Sequence, residues 1–135
     1  MMNPFPLKIV TPDGLQFDGQ AEGLIVRTIS GDLGILAGHI NCVAPLGMGV
    51  ATILINGKKC YAACIGGMVS VVGGSVKLVP TTFEWADKID IDRAQASEQR
   101  ARETLTNAAS NDMDLRLAEA RLKRSLVRQS AAKYQ

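Results

Sequence analysis

The sequence predicts an all-β domain, a sandwich or barrel, followed by two short helices. Three observations carry this. All 13 glycines and all five prolines lie before residue 88. Over that same stretch, short apolar segments alternate with turn residues, the habit of antiparallel β domains. From Ile89 onward the apolar residues instead recur at helical spacing. The boundary predicts a sandwich domain over 1–88 and a helical appendage over 89–135.

The strand segments are "LKIVT", "EGLIVRTI", "VATILI", "CYAACIG", "MVSVV" and "SVKLV", punctuated by "TPDG", "SGD", "NG", "GG" and "VGGS". "NG" between "ATILI" and "KKCYAACI" predicts a two-residue hairpin, because both residues tolerate positive φ. No helical crossover fits between the strands, so parallel pairing is not expected. With aromatics at only 4%, the core must be aliphatic.

Asp90 is placed to N-cap a first helix, with Ala94, Ala101, Leu105 and Ala108 on one face. "SND" interrupts it, and Ser110 or Asn111 caps a second helix. There Leu115, Ala118, Leu122 and Leu126 form a stripe, so the helices pair as an antiparallel hairpin. Because one stripe is mainly alanine, the contact is shallow and the hairpin is expected to come apart readily. Arg121, Arg124 and Arg128 fall away from the leucines, a basic face suited to solvent or to carboxylates and phosphates.

Several function classes are excluded. There is no GxSxG, HExxH or phosphate-loop motif, so no residue is assigned a catalytic role. "GGMVSVVGGS" is glycine-rich but opens no helix, so it lacks the context of a phosphate cradle. Cys42, Cys60 and Cys64 have no second pair and only the lone His39 beside them, so no metal site is expected and they read as reduced, core-facing residues. The net charge of +2 does not suggest a nucleic-acid partner. From Asp112 onward there are six basic residues against three acidic ones, so any acidic partner meets the tail. The N-terminus does not read as a targeting signal, and no apolar run reaches the ~20 residues of a bilayer span; membrane association is expected only through a partner.

One stretch, "GDLGILAGHI" (31–40), reads as a loop combining three glycines, aliphatics and His39, the chain's only histidine. Asp32 and His39 are expected outward, with Leu33, Ile35 and Leu36 pinning the loop inward. Met48, within "PLGMGV", reads as turn and strand core.

"VTPDG", "SGDLGILAGH", "GG" followed by "VSVV", and "IDIDRAQASEQRA" occur in an order that resembles the epsilon subunit of F-type ATP synthases, bacterial type. The resemblance runs from about Leu7 to Lys133; Ala37 stands where the family usually has proline. It implies a ten-stranded β-sandwich and a C-terminal hairpin. It also implies a non-enzymatic role in the central stalk. The sandwich would join the gamma subunit to the c ring, with Asp32 and His39 meeting the c-ring loops. The hairpin would either fold back or extend into the catalytic head of beta and alpha subunits to inhibit ATP hydrolysis, with Arg121, Arg124 and Arg128 meeting the catalytic beta subunits. The site would be peripheral, at the cytoplasmic face of a bacterial membrane. No cofactor is implied, but ATP is, as a regulatory ligand: the family's Ile-Asp-x-x-Arg-Ala signature stands here as Ile89, Asp90, Arg93 and Ala94, with Glu84 upstream and Arg100, Arg124 and Arg128 at the positions of its arginines. Asp90 would read the adenine or ribose, and the arginine pairs would close on the phosphates. The alternatives are a free-standing ATP-binding sensor and a β-sandwich adaptor.

Overall fold

The computed structural model describes residues 3–107 and 111–135. Ten strands come first: β1 (Phe5–Thr11), β2 (Gly14–Ala21), β3 (Gly23–Thr28), β4 (Gly31–Ile35), β5 (Cys42–Pro45), β6 (Met48–Ile55), β7 (Lys58–Ile65), β8 (Met68–Val72), β9 (Ser75–Val79) and β10 (Thr82–Trp85). A 3₁₀ turn (Ala86–Lys88) leads into α1 (Ile91–Thr106) and α2 (Asp112–Ala132). The strands form two five-stranded sheets, ordered β2-β1-β9-β8-β5 and β10-β7-β6-β3-β4. The predicted class, a β-sandwich with two helices after it, is the observed one.

Strand alternation builds the core. Phe5, Leu7 and Ile9 of β1 point inward with Val76 and Leu78 of β9, and meet Leu24, Val26, Ala51 and Ile53 of the other sheet. Each fully buried aliphatic stabilises the fold by ~1.5–3 kcal/mol. The turns follow the glycines. Asn56 (φ 52°) and Gly57 (φ 77°) close the β6–β7 hairpin in the left-handed region, as "NG" predicts. At Gly67 (φ 90°) a Cβ would strike the Val79 carbonyl and Pro80, so only glycine fits between β7 and β8.

Three expectations need correction. One pair is parallel: β1 runs beside β9 with Leu7 opposite Val76. No helical crossover is needed, because the chain passes through the second sheet before returning to the first. Four strands (β2, β4, β5 and β10) had no segment of their own in the sequence reading; they are short or carry polar and glycine residues. And of the cysteines only Cys64 is buried, while Cys42 and Cys60 are half-buried. Burial pushes the Cys64 thiol up to about 12.

The helices start where their caps predict. The Asp90 carboxylate accepts from the Arg93 N–H, and the Asn111 side chain accepts from the Asp114 N–H. Ala108 and Ser110 lie outside the described residues. The leucine stripe is not the buried face of α2. Its buried residues are Ala118, Ser125, Ala131 and Ala132, while Leu126 is 41% exposed and Leu115 and Leu122 are half-buried. The seam between the helices is built on small residues spaced seven apart, Ala94 and Ala101 on α1 and Ala118 and Ser125 on α2. Small side chains let the helices approach closely, and the longer leucines are displaced to the flanks. Ser125 donates its hydroxyl to Leu122 O at 2.8 Å, which satisfies it inside the seam.

Only α2 packs broadly on the sandwich, against β6 and β7. Ala131, Ala132 and Val127 rest on Ala63, Val50 and Ile89. The end of the chain adds two ties: Tyr134 stacks on Tyr61 (centroids 3.8 Å apart), and the Gln135 amide donates to Ala86 O and Ile89 O.

Two outcomes follow. Ile53→Ala should lower urea-derived stability by ~2–5 kcal/mol, while Leu126→Ala should stay within about 0.5 kcal/mol, the reverse of what a leucine seam would give. Cys64 stays protonated when folded, whereas the unfolded thiol ionises in its ordinary range. The unfolded state then binds fewer protons, so stability falls as pH rises past that range, and Cys64→Ala should flatten this alkaline loss in denaturation curves taken at stepped pH.

Candidate functional site

Where the end of β10, the 3₁₀ turn and the two helices meet, they border a solvent-open cavity of about 420 Å³. Glu84 comes from β10; Ile89 and Asp90 follow the turn; Arg93, Ala94 and Arg100 come from α1; Arg128 reaches in from α2. Seven of the eight residues predicted for ATP thus line one space. The eighth, Arg124, lines an adjoining cavity of about 440 Å³ between the helices, which shares Ser97, Arg100 and Arg128 with the first. Asp13, Lys88 and Ser97 were not anticipated. Ser97 and Lys88 had a local signal, since Ser97 sits one helical turn after Arg93 and Lys88 adjoins the signature. Asp13 is distant in sequence and arrives only through the β1–β2 turn.

The local chemistry explains how these groups are held. Asp90 spends one oxygen on its cap, at 3.0 Å from the Arg93 N–H, and a carboxylate keeps further acceptor capacity beyond one such bond. Glu84 Oε1 accepts from Arg128 Nε at 2.7 Å. A guanidinium has five donors, so this bond fixes the plane of Arg128 and leaves its terminal N–H groups available. The pair is partly exposed, 29% and 36%, so it contributes no more than ~0.2–1 kcal/mol; its effect is chiefly to aim the guanidinium. A second tie joins the helices: Gln129 donates to Glu98 Oε1 at 2.8 Å, and Arg102 donates to Glu98 Oε2 at 2.7 Å. The Gln129 bond first, and Arg102 after it, holds the Glu98 carboxyl below the usual carboxylate range. That contribution is present above the ordinary range and is lost as pH falls through the lowered value.

Charge is graded along the joined cavities. The first mixes Asp13, Glu84 and Asp90 with Lys88, Arg93, Arg100 and Arg128. The second has Arg100, Arg121, Arg124 and Arg128 and no acidic lining residue. The sequence reading put Arg121, Arg124 and Arg128 away from the helix contact. They instead flank it beside Ala118, because the seam follows the small residues rather than the leucines.

The stretch 31–40 divides differently from expectation. Its first half is β4, an edge strand paired with β3, and Ile35 alone is fully buried. Asp32 is exposed and pairs with Arg27 at 3.4 Å. His39 is half-buried and donates its Nδ1 proton to Ile40 O at 2.8 Å, with Cys42 Sγ at 3.9 Å from the same nitrogen. Leu36 is 54% and Ile40 77% exposed, so these aliphatics do not pin the loop. The strand ends at Ile35 and the chain leaves the sheet, so no pleat directs them inward. Met48 is likewise 38% exposed at the start of β6 rather than in the core.

Comparison with known proteins accounts for both halves. The family described as "ATP synthase, Delta/Epsilon chain, beta-sandwich domain" matches residues 4–86, and "ATP synthase, Delta/Epsilon chain, long alpha-helix domain" matches residues 87–133. The ATP synthase epsilon chain of Bacillus pumilus is 41% identical over 131 residues, 97% of this chain and 98% of the relative. That of Bacillus subtilis is 44% identical over 115 residues, 85% and 86% of the two chains. Among solved structures, a chain of the Euglena gracilis mitochondrial ATP synthase (OSCP/F1/c-ring) superposes with a TM-score of 0.83 at 20% identity, covering 100% of this chain and 84% of its own. A chain of the Tetrahymena thermophila mitochondrial ATP synthase central stalk and c ring superposes at 0.64 with 14% identity, over 97% and 98% of the two chains. At those identities the structures speak for the fold alone. With both of its halves matched and close bacterial relatives along nearly its whole length, the chain belongs to the delta/epsilon-chain family of ATP synthases.

Proposed function

We propose that this chain is the non-catalytic epsilon subunit of an F-type ATP synthase central stalk, and that ATP bound between β10 and the two helices controls whether its hairpin inhibits ATP hydrolysis. The observation that carries the regulatory part is the convergence of seven predicted residues from four chain segments on one cavity, to which α2, packed on the sandwich, contributes Arg128. A ligand there bridges the strand, the turn and both helices. Asp90 and Glu84 offer acceptors to the base or ribose, and Arg93, Arg100, Arg124 and Arg128 meet the phosphates. Binding holds the docked hairpin by RT ln(1 + [L]/Kd), about 2.7 kcal/mol at a hundredfold excess over Kd. The docking contact is mostly alanine and valine, so an increment of that size decides the balance.

When ATP leaves, α2 is released. Arg121, Arg124 and Arg128 are then free to meet carboxylates on the catalytic beta subunits. The sandwich joins gamma to the c ring, with Asp32, His39 and the exposed Leu36 and Ile40 at the c-ring loops. The subunit works peripherally at the cytoplasmic face of the membrane, through the complex. A free-standing ATP sensor would bind nucleotide yet fail to assemble with gamma; an adaptor of another kind would do neither.

Calorimetry on the full chain should give saturable heat with ATP, abolished or weakened at least tenfold in Arg93→Ala and Arg124→Ala. Equal heat in all three proteins, or none at millimolar ATP, would leave Asp90 as a helix cap only. In the assembled enzyme, the combined change of Arg121, Arg124 and Arg128 to Ala should raise ATP hydrolysis, and high salt should act in the same direction, because each exposed ion pair is worth only ~0.2–1 kcal/mol and is screened. Unchanged hydrolysis with the subunit demonstrably bound counts against the inhibitory contact.

A further inference from the structure

We propose that the open end of the sandwich, beside the tail that follows α2, is a binding site for a small apolar carboxylate, its hydrocarbon body seated among aromatic rings and its anionic group held by lysines at the rim. A solvent-open cavity of about 470 Å³ lies there, within the size range of small-molecule sites. Four parts of the fold that are distant in sequence meet around it: β2, the β6–β7 hairpin, the turn after β10, and the residues after α2. It shares only Lys88 with the cavity assigned to nucleotide, so neither site depends on the other.

Strand parity supplies the floor. Ile53 of β6 and Ala62 of β7 belong to the core, so Ile55 and Cys60, two positions further along each strand, stay on the inner face where the sheets run out. The edge strands β2 and β10 add Phe17 and Trp85, whose rings meet edge to face across the two sheets with centroids 6.4 Å apart. All four side chains are half-buried, which leaves apolar surface for a ligand's body to cover. The chain has only three phenylalanines, two tyrosines and one tryptophan. Four of these rings, Phe17, Tyr61, Trp85 and Tyr134, line this one cavity in a protein whose core is otherwise aliphatic.

Charge selects the rest of the ligand. Lys58, Lys59 and Lys88 are exposed at the rim, against Asp87 as the one acidic side chain lining it. Among the described residues none of these lysines is ion-paired. An ammonium on a flexible stem follows a head group of any geometry, so the cavity reads the sign of the charge and the body behind it. A polyanion would set charge against the rings, whereas one anionic group on a hydrocarbon body meets both the rim and the floor. A flat aromatic body and a short alkyl chain present the same chemistry here. Tyr134 and Gln135 form one wall, held by the stack on Tyr61 and by the amide bonds to Ala86 O and Ile89 O. An occupant therefore touches the sandwich and the tail together, and favours the docked hairpin.

Trp85 is the chain's only tryptophan, so its fluorescence reports on the cavity directly. The full chain, the double variant Lys58→Gln with Lys59→Gln, and Tyr134→Ala are titrated with 4-phenylbutyrate, octanoate and the uncharged 4-phenylbutanol. Circular dichroism checks that all three proteins are folded alike. The wild type should show a saturable change in Trp85 emission with 4-phenylbutyrate, and should bind it more tightly than the alcohol. The double lysine variant should lose about three- to tenfold in affinity for the carboxylate and nothing for the alcohol, as expected for exposed ion pairs. Tyr134→Ala should weaken both, because a wall is gone. Octanoate that binds as tightly as 4-phenylbutyrate assigns the site to alkyl carboxylates, and weaker binding assigns it to aromatic ones. No saturable change at millimolar 4-phenylbutyrate or octanoate overturns the site. So does equal affinity for carboxylate and alcohol in the wild type, or unaltered binding in Tyr134→Ala.

Discussion

The docking of α2 on the outer face of the second sheet is the contact on which the helical half depends. It is made by Ala131, Ala132 and Val127 against Ala63, Val50 and Ile89. These side chains are small, so the area removed from water is modest and the hydrophobic gain is correspondingly limited. Directional contacts supplement it: the Glu84–Arg128 pair, the Tyr61–Tyr134 stack and the Gln135 amide on two backbone carbonyls. All lie toward the C-terminal end of α2. The helix is therefore tethered near one end, and α1 reaches the sandwich chiefly through α2 and the turn before it. An element held in this way is suited to leave and return as a unit, because few buried contacts must break together.

The sandwich beneath it is built on the opposite principle. Its core is continuous between the sheets, from Phe5 and Ile9 to Ile53 and Leu78, and owes nothing to the helices. The turns that fix strand register rely on glycine where no other residue fits, as at Gly67. The two parts thus show two packing regimes in one chain: large branched aliphatics that interdigitate in the sandwich, and mostly small side chains where α2 meets it.

Small residues also decide where the charges go. Because Ala94, Ala101, Ala118 and Ser125 form the seam, the helices lie close, and the arginines that flank the seam line the cavity beside it, Arg100 and Arg121 at its solvent-exposed side and Arg124 and Arg128 half-buried. Glu84 then serves two ends with one bond: it holds α2 to β10 and orients Arg128 toward the space between the helices. Asp13, Glu84 and Asp90 line that space at its sandwich end, and Arg100, Arg121, Arg124 and Arg128 line it between the helices, so its charge changes from mixed to basic along its length.

The sequence by itself determined the two-part division, the aliphatic core, the "NG" hairpin and both helix caps. These depend on local propensities: glycine and proline punctuation, strand alternation, and side chains that bond their own backbone a few residues on. It also named most of the cavity's lining, through a resemblance whose motif is contiguous from Ile89 to Ala94. Tertiary structure alone decided the rest. The parallel pairing of β1 with β9 joins segments nearly seventy residues apart, as Leu7 opposite Val76, and no local pattern encodes it. The exposure of Leu126, Leu36, Ile40 and Met48 follows from which face of each element meets a neighbour, and an apolar residue carries no label for that. The place of Arg121 beside Arg100 is of the same kind: periodicity assigns a residue to a face of a helix, but only packing, by the closest approach of small side chains, decides which face is turned toward the partner.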